Sequence, residues 1–154
     1  MDDNNGIMEF INIALKTSRF GVLATEGDGQ PHVSLIAITP WEGFRQLVFA
    51  TYRNTRKFRN LERNNKVAVL IEGMNSDDSK PQKSFVITAV GHAEEIKITP
   101  NHQALQAHLD RHPDLLSFTR ESDCTLVLVK IDEYQVVHGI DKVVWWSVRD
   151  LDNT

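Results

Sequence analysis

The sequence predicts a mainly β fold, an antiparallel barrel with peripheral helices, as a single domain over residues 1–154. Three observations lead there. Short segments rich in Val, Ile, Leu, Thr and Phe follow one another at close spacing. Only three stretches carry a helical period. A doubly wound parallel sheet needs a helix after nearly every strand, and that alternation is missing.

In chain order, Ile7, Phe10, Ile11, Ala14 and Leu15 form an amphipathic helical stripe that ends near Thr17–Ser18. Phe20 to Thr25 reads as a buried strand. Glu26–Gly27–Asp28–Gly29–Gln30 follows as a turn, because Gly and Asp tolerate the positive φ of a tight hairpin. His32 to Ile38 is the second strand, Pro40–Trp41–Glu42–Gly43 a turn, and Leu47 to Thr51 the third strand. Asn54 to Asn65 reads as a helix with Phe58 and Leu61 inward. Val67 to Ile71 is a fourth strand, and Gly73 to Pro81, without periodicity, a loop. Phe85 to Ile96 is a long strand in which Gly91 marks a bulge or a close approach. Thr99 as cap and Pro100 as first residue predict a third helix, which carries Leu105 and Leu109 and stops before Pro113. Thr125 to Val137 and Asp141 to Val148 complete the strands.

Composition narrows the function classes. A net charge of −4 argues against a general nucleic-acid surface. One cysteine, Cys124, allows no internal disulfide and fits a reducing compartment. No apolar run reaches the roughly 18 residues of a membrane span, and Asp2 and Asp3 have the wrong sign for a signal peptide. The expected setting is cytoplasmic, without a membrane partner.

Chemistry concentrates in the middle. Between Arg53 and Lys66 stand six basic residues and one acid, Glu62; that local +5 leaves −9 for the rest of the chain. The charge lies where a strand gives way to a helix. Such a junction suits a phosphate: the N–H groups of the first turn point outward and the helix dipole favours an anion. Thr51 and Thr55 add hydroxyls, Arg56 a planar fork and Lys57 a point charge. A basic, solvated helix with no ligand fits the same charges.

The run Val48–Phe49–Ala50–Thr51, then Thr55–Arg56–Lys57, then Asn60–Leu61 before Val67–Ala68–Val69–Leu70, resembles the pyridoxamine 5′-phosphate oxidase-like flavoproteins. The hairpin from Leu23–Ala24–Thr25 to Gly29–Gln30–Pro31–His32–Val33–Ser34 and the later Gly91–His92–Ala93–Glu94 resemble the same group. The resemblance covers about residues 18 to 138. It implies a split β-barrel of the FMN-binding kind, dimeric, with two FMN molecules at the subunit interface. It also implies phosphate-binding roles for Arg56 and Lys57, with Thr51 near the ribityl-phosphate and Val33, Ser34, Leu35 and Ile36 along the flavin ring. A C-terminal Trp145 or Trp146 would approach the ring from the partner subunit.

The chain departs from the true oxidases in two places. Their Arg-x-Val-Leu-Leu-Lys strand is replaced by Val33–Ser34–Leu35–Ile36–Ala37–Ile38, and their C-terminal Arg-x-His pair is absent. Oxidation of pyridoxine phosphates is therefore not expected. The leading expectation is an FMN-dependent oxidoreductase acting on a small molecule, with no side chain assigned as catalytic. The alternatives are a non-catalytic flavin-binding or flavin-sensing protein, or a haem or deazaflavin binder on the same barrel.

The other signals read as structural. His108 and His112 share a helical face, but Pro113 follows, so a solvated helix end is expected rather than a metal site. Cys124 reads as a small core residue. Trp145 and Trp146 face opposite ways if they sit on a strand, one toward the core and one toward a partner or ligand.

Overall fold

The computed structural model describes residues 4–74, 84–139 and 141–149. Its elements are α1 (Asn4–Thr17), β1 (Phe20–Gly27), β2 (Gln30–Ala37), β3 (Thr39–Trp41), β4 (Gln46–Tyr52), α2 (Arg56–Arg63), β5 (Lys66–Met74) and β6 (Ser84–Ile96). There follow α3 (Gln103–Arg111), a 3-10 turn at Pro113–Leu115, α4 (Leu116–Thr119), β7 (Cys124–Val137) and β8 (Val143–Ser147). All strands pair antiparallel in one sheet, in the order β2-β1-β5-β6-β7-β4-β3, with β8 added to β7. The path does not close. Among the described residues, β2 packs against β4 without a ladder, which leaves the barrel split between them.

The β1–β2 hairpin turns at Asp28 (φ 53°) and Gly29 (φ 82°), the pair of positive φ values that matches the twist of the flanking strands. The core fills from both sides of the sheet's curl. Leu23, Phe49, Val69, Ile71, Ile87, Val129 and Tyr134 are fully buried, and Ile7, Ile11, Ala14 and Leu15 of α1 cover them. Between Val90 and Gly91 the β6–β7 register shifts by one residue, with Asp132 of β7 as the extra residue; of the two readings of Gly91 the structure shows the close approach, against the Lys130 carbonyl. Cys124 is buried, and burial pushes its thiol up to about 11, as for an unreactive core residue. No helix among the described residues is long and apolar enough to cross a membrane.

Four expectations change. The turn at Pro40–Gly43 contains a short strand, β3, paired to β4 through Pro40 and Leu47. The loop expected from Gly73 is strand through Met74, and its remainder lies outside the described residues. The third helix starts at Gln103 rather than Pro100, because the His102 ring caps it by accepting from the Ala104 N–H at 3.1 Å. His108 and His112 are not solvated: they are 0% and 1% exposed. The reason is tertiary. Helix α3 lies against β3, so Thr39 Oγ1 meets His108 Nδ1 at 2.7 Å and His112 Nε2 donates to the Ile38 carbonyl at 2.7 Å. Beside them Arg111 donates to the Leu15 and Ser18 carbonyls, both at 2.7 Å, tying α3 to the end of α1.

Burial, with His112 and Arg111 nearby, holds His108 down at about 4 against an ordinary 6.5. The unfolded chain therefore binds the extra proton between pH 6.5 and 4, and stability rises with pH across that window. The full effect is about 3 kcal/mol at most. Urea titrations should show the protein losing stability as pH falls from 6.5 toward 4, with a shallower loss in His108→Gln. An unchanged slope in that variant would remove His108 as the cause.

Candidate functional site

The split between β2 and β4 opens into a cleft of about 280 Å³. Ala50, Thr51 and Tyr52 at the end of β4 form one wall, and Leu35, Ile36 and Ala37 at the end of β2 form the other. Thr55 and Lys57, at the start of α2, close one end; Phe20, Leu115 and Phe118 complete the apolar part. Tyr52 packs on Phe118 with ring centroids 4.5 Å apart.

The β4–α2 junction is held rigidly. Thr55 caps α2, its Oγ1 accepting from the Phe58 N–H at 3.3 Å and donating to the Tyr52 carbonyl at 2.9 Å. Thr51, 1% exposed, donates its hydroxyl to the Tyr52 carbonyl at 3.1 Å and stands 3.3 Å from the Thr55 hydroxyl. Asp123 fixes the intervening turn: its carbonyl accepts from the Arg53 N–H at 2.9 Å and its Oδ2 from the Asn54 N–H at 3.1 Å. Farther along, the buried Asn60 donates to Thr25 Oγ1 at 3.1 Å, fastening α2 to β1. Within the first turn the Phe58 and Arg59 N–H groups are taken by Thr55. Those of Arg56 and Lys57, at the open end of the helix, have no acceptor within it.

The six basic residues do not act as one patch. Arg53 is committed to Glu95 at 2.9 Å, Arg63 to Asp28 at 3.1 Å, and Arg59 to the Asn54 side chain at 3.1 Å. Lys57 differs: it is partly buried, lines the cleft, and has no acid or hydrogen-bond partner among the described residues. Burial pushes its ammonium below the usual lysine range. Withdrawing a cation from water without a partner is costly unless an anion joins it.

The structure therefore brings together Leu35, Ile36, Thr51, Thr55 and Lys57. Arg56 is exposed at the first position of α2 and does not line the cleft. Val33 and Ser34 lie farther along β2, outside it. Trp145 is 53% exposed on β8, while Trp146 is buried at 4%, so the two do face opposite ways. Sequence reasoning did not single out Phe20, Ala37, Leu115 or Phe118. The last two come from a segment between α3 and β7 whose approach to β4 has no local signal.

Leu35 also begins a cross-strand row on the outer face of the sheet. It lies opposite Val22, Val22 opposite Leu70, Leu70 opposite Thr88, Thr88 opposite Gln135, and Gln135 opposite Trp145. Val33, Ala24, Ala68 and Val90 form the next row. Leu35 at 68% and Val33 at 64% exposure leave this face more apolar than a solvated sheet face needs to be.

A family model described as pyridoxamine 5′-phosphate oxidase matches residues 7–138. The chain belongs to that family. Solved structures carry the same fold, among them the heme binding protein from Mycobacterium smegmatis, with 22% identity and a TM-score of 0.77 over 91% of this chain and 57% of that one. General Stress Protein 26 from Bacillus anthracis aligns with 21% identity and a TM-score of 0.69, over 92% and 98%. A FAD-binding protein from Mesorhizobium loti aligns with 17% identity and a TM-score of 0.65, over 86% and 94%. The chain spans little more than half the length of the mycobacterial protein. No curated protein matches the chain at a significant level. Within the pyridoxamine 5′-phosphate oxidase family, the split barrel is the frame on which this cleft is built.

Proposed function

We propose that the cleft binds FMN and that the protein is a dimeric flavoprotein, most simply an oxidoreductase acting on a small molecule in the cytoplasm. One observation carries the reading: Lys57, partly buried and without an acid or hydrogen-bond partner among the described residues, lines the cleft together with Thr51 and Thr55 at the N-terminus of α2. That donor set fits a phosphate monoester. Lys57 supplies a charge-assisted bond, the first-turn N–H groups of Arg56 and Lys57 have no acceptor within the helix, and exposed Arg56 adds field; the hydroxyls of Thr51 and Thr55, which both donate to the Tyr52 carbonyl, would have to turn from it to reach a phosphate. Leu35, Ile36, Ala37 and Phe20 offer an apolar wall of the kind a flat ring packs on. When bound, the flavin would supply the hydride or electron chemistry, and the chain its position and electrostatic setting.

The same residues favour flavin over haem. Haem iron needs an axial ligand, commonly His, Cys, Met or Tyr. The cleft lining offers only Tyr52, whose ring is packed on Phe118, and His108 and His112 are bonded elsewhere. Lys57 is also the one cation among the lining residues, so a bound cofactor phosphate leaves no second clamp for a pyridoxine phosphate.

A cleft of about 280 Å³ falls just below the range of ligand pockets, roughly 300–1,000 Å³, and Leu35 belongs both to its lining and to the apolar sheet face. A second copy packed on that face would enclose the ring. With a two-fold axis parallel to the strands, the Trp145 end of one row lies over the Leu35 end of the other, which brings Trp145 of each chain toward its partner's cleft. Sedimentation at micromolar concentration should give a dimer burying more than about 1,000 Å² and carrying one FMN per chain. A monomer that still binds FMN fully would overturn the shared site while leaving the phosphate cradle standing.

A further inference from the structure

A second cavity, of about 560 Å³, shares α4 as a wall with the cofactor cleft: Phe118 lines the cleft, and Leu116 and Thr119 line this cavity. Ile98, Leu105, Leu109 and Leu116 make its sides apolar, and Leu116 is left exposed there. Three cations, Arg53, Lys97 and Arg120, and one acid, Glu121, stand among the lining residues. Arg53 is already neutralised by Glu95. Among the described residues, the Lys97 and Arg120 side chains have no acid or hydrogen-bond partner.

We propose that this cavity is a ligand site of its own, taking a monoanionic amphiphile: a carboxylate on an unbranched apolar tail. Size, lining and charge agree on that class. The volume is that of a small-molecule pocket, and such pockets pair an apolar lining with a few polar groups that fix orientation. Lys97 and Arg120 answer a carboxylate at the rim, and the four apolar side chains take the tail. With Arg53 spent on Glu95 and Glu121 offsetting one cation, the free charge is close to +1, enough for a monoanion. A dianion would exceed that net charge, with Glu121 and Glu95 beside it. The site needs no flavin, so it stands or falls apart from the reading of the cofactor cleft.

The test titrates the full chain with decanoate and with 1-decanol, following the methyl resonances of Leu105, Leu109 and Leu116. Decanoate should saturate at one molecule per chain and shift those methyls; decanol, with the same tail and no charge, should bind more weakly. In the double variant Lys97→Gln, Arg120→Gln, decanoate affinity should fall by about tenfold or more, as expected when charge-assisted bonds are lost. Decanol affinity and FMN affinity should hold, which shows that the fold is intact. Failure to saturate, shifts confined to other methyls, or equal loss for decanoate and decanol would each overturn the proposal.

Discussion

Lys57→Ala is expected to weaken FMN binding by about 1.5–3 kcal/mol, roughly ten- to hundredfold, and to leave riboflavin binding nearly unchanged. The magnitude is that of one charged hydrogen bond lost. The selectivity follows from position. Lys57 lines the cleft from the start of α2, with Thr51 and Thr55, whereas the apolar residues Leu35, Ile36 and Phe20 come from β2 and β1. Because Lys57 has no acid or hydrogen-bond partner among the described residues, its removal breaks no polar contact of the fold there, and urea denaturation should shift by no more than about 0.5 kcal/mol. Fluorescence titration with both ligands measures the difference. Equal losses for FMN and riboflavin would mean that Lys57 shapes the cleft rather than holding a phosphate.

Gly91→Ala should be the most damaging single-methyl change in the barrel, costing more than about 3 kcal/mol. A β-carbon at Gly91 would overlap the Lys130 carbonyl oxygen and stand 3.0 Å from Ile131 Cα. Both obstacles are backbone of β7, which is held on its other side by β4 and β8. Neither can move without disturbing two further ladders. Gly29 makes the contrast: it has nothing within 4 Å of an added β-carbon, and its φ of +82° costs an alanine only about 1–2 kcal/mol. Urea midpoints for the two variants should therefore rank Gly91→Ala far below Gly29→Ala. A Gly91→Ala protein within about 1 kcal/mol of the parent would show that the bulge relaxes.

The features that were legible in the sequence are those set by neighbours in the chain. The stripe of Ile7, Ile11, Ala14 and Leu15, the Asp28–Gly29 turn and the close approach at Gly91 depend on local period or backbone freedom, and each appears where the residues indicate. What was not legible depends on distant partners. His108 and His112 carry the same local signal whether a helix end is wet or buried; Thr39 and Ile38, about seventy positions away, decide it. The basic cluster is similar. Glu95 and Asp28 claim Arg53 and Arg63, and only their placement leaves Lys57 facing the cleft. The cap at His102 overrode the Thr99–Pro100 signal because an imidazole nitrogen can accept the same bond a threonine hydroxyl would.

Visible absorption of the purified protein, mixed with FMN and then passed through a desalting column, tests the central claim most directly. Retained bands close to those of free flavin, at one FMN per chain, are expected, with no retention of riboflavin under the same conditions. A Soret band in the protein as purified, or FMN that elutes free while the chain remains folded, would contradict it.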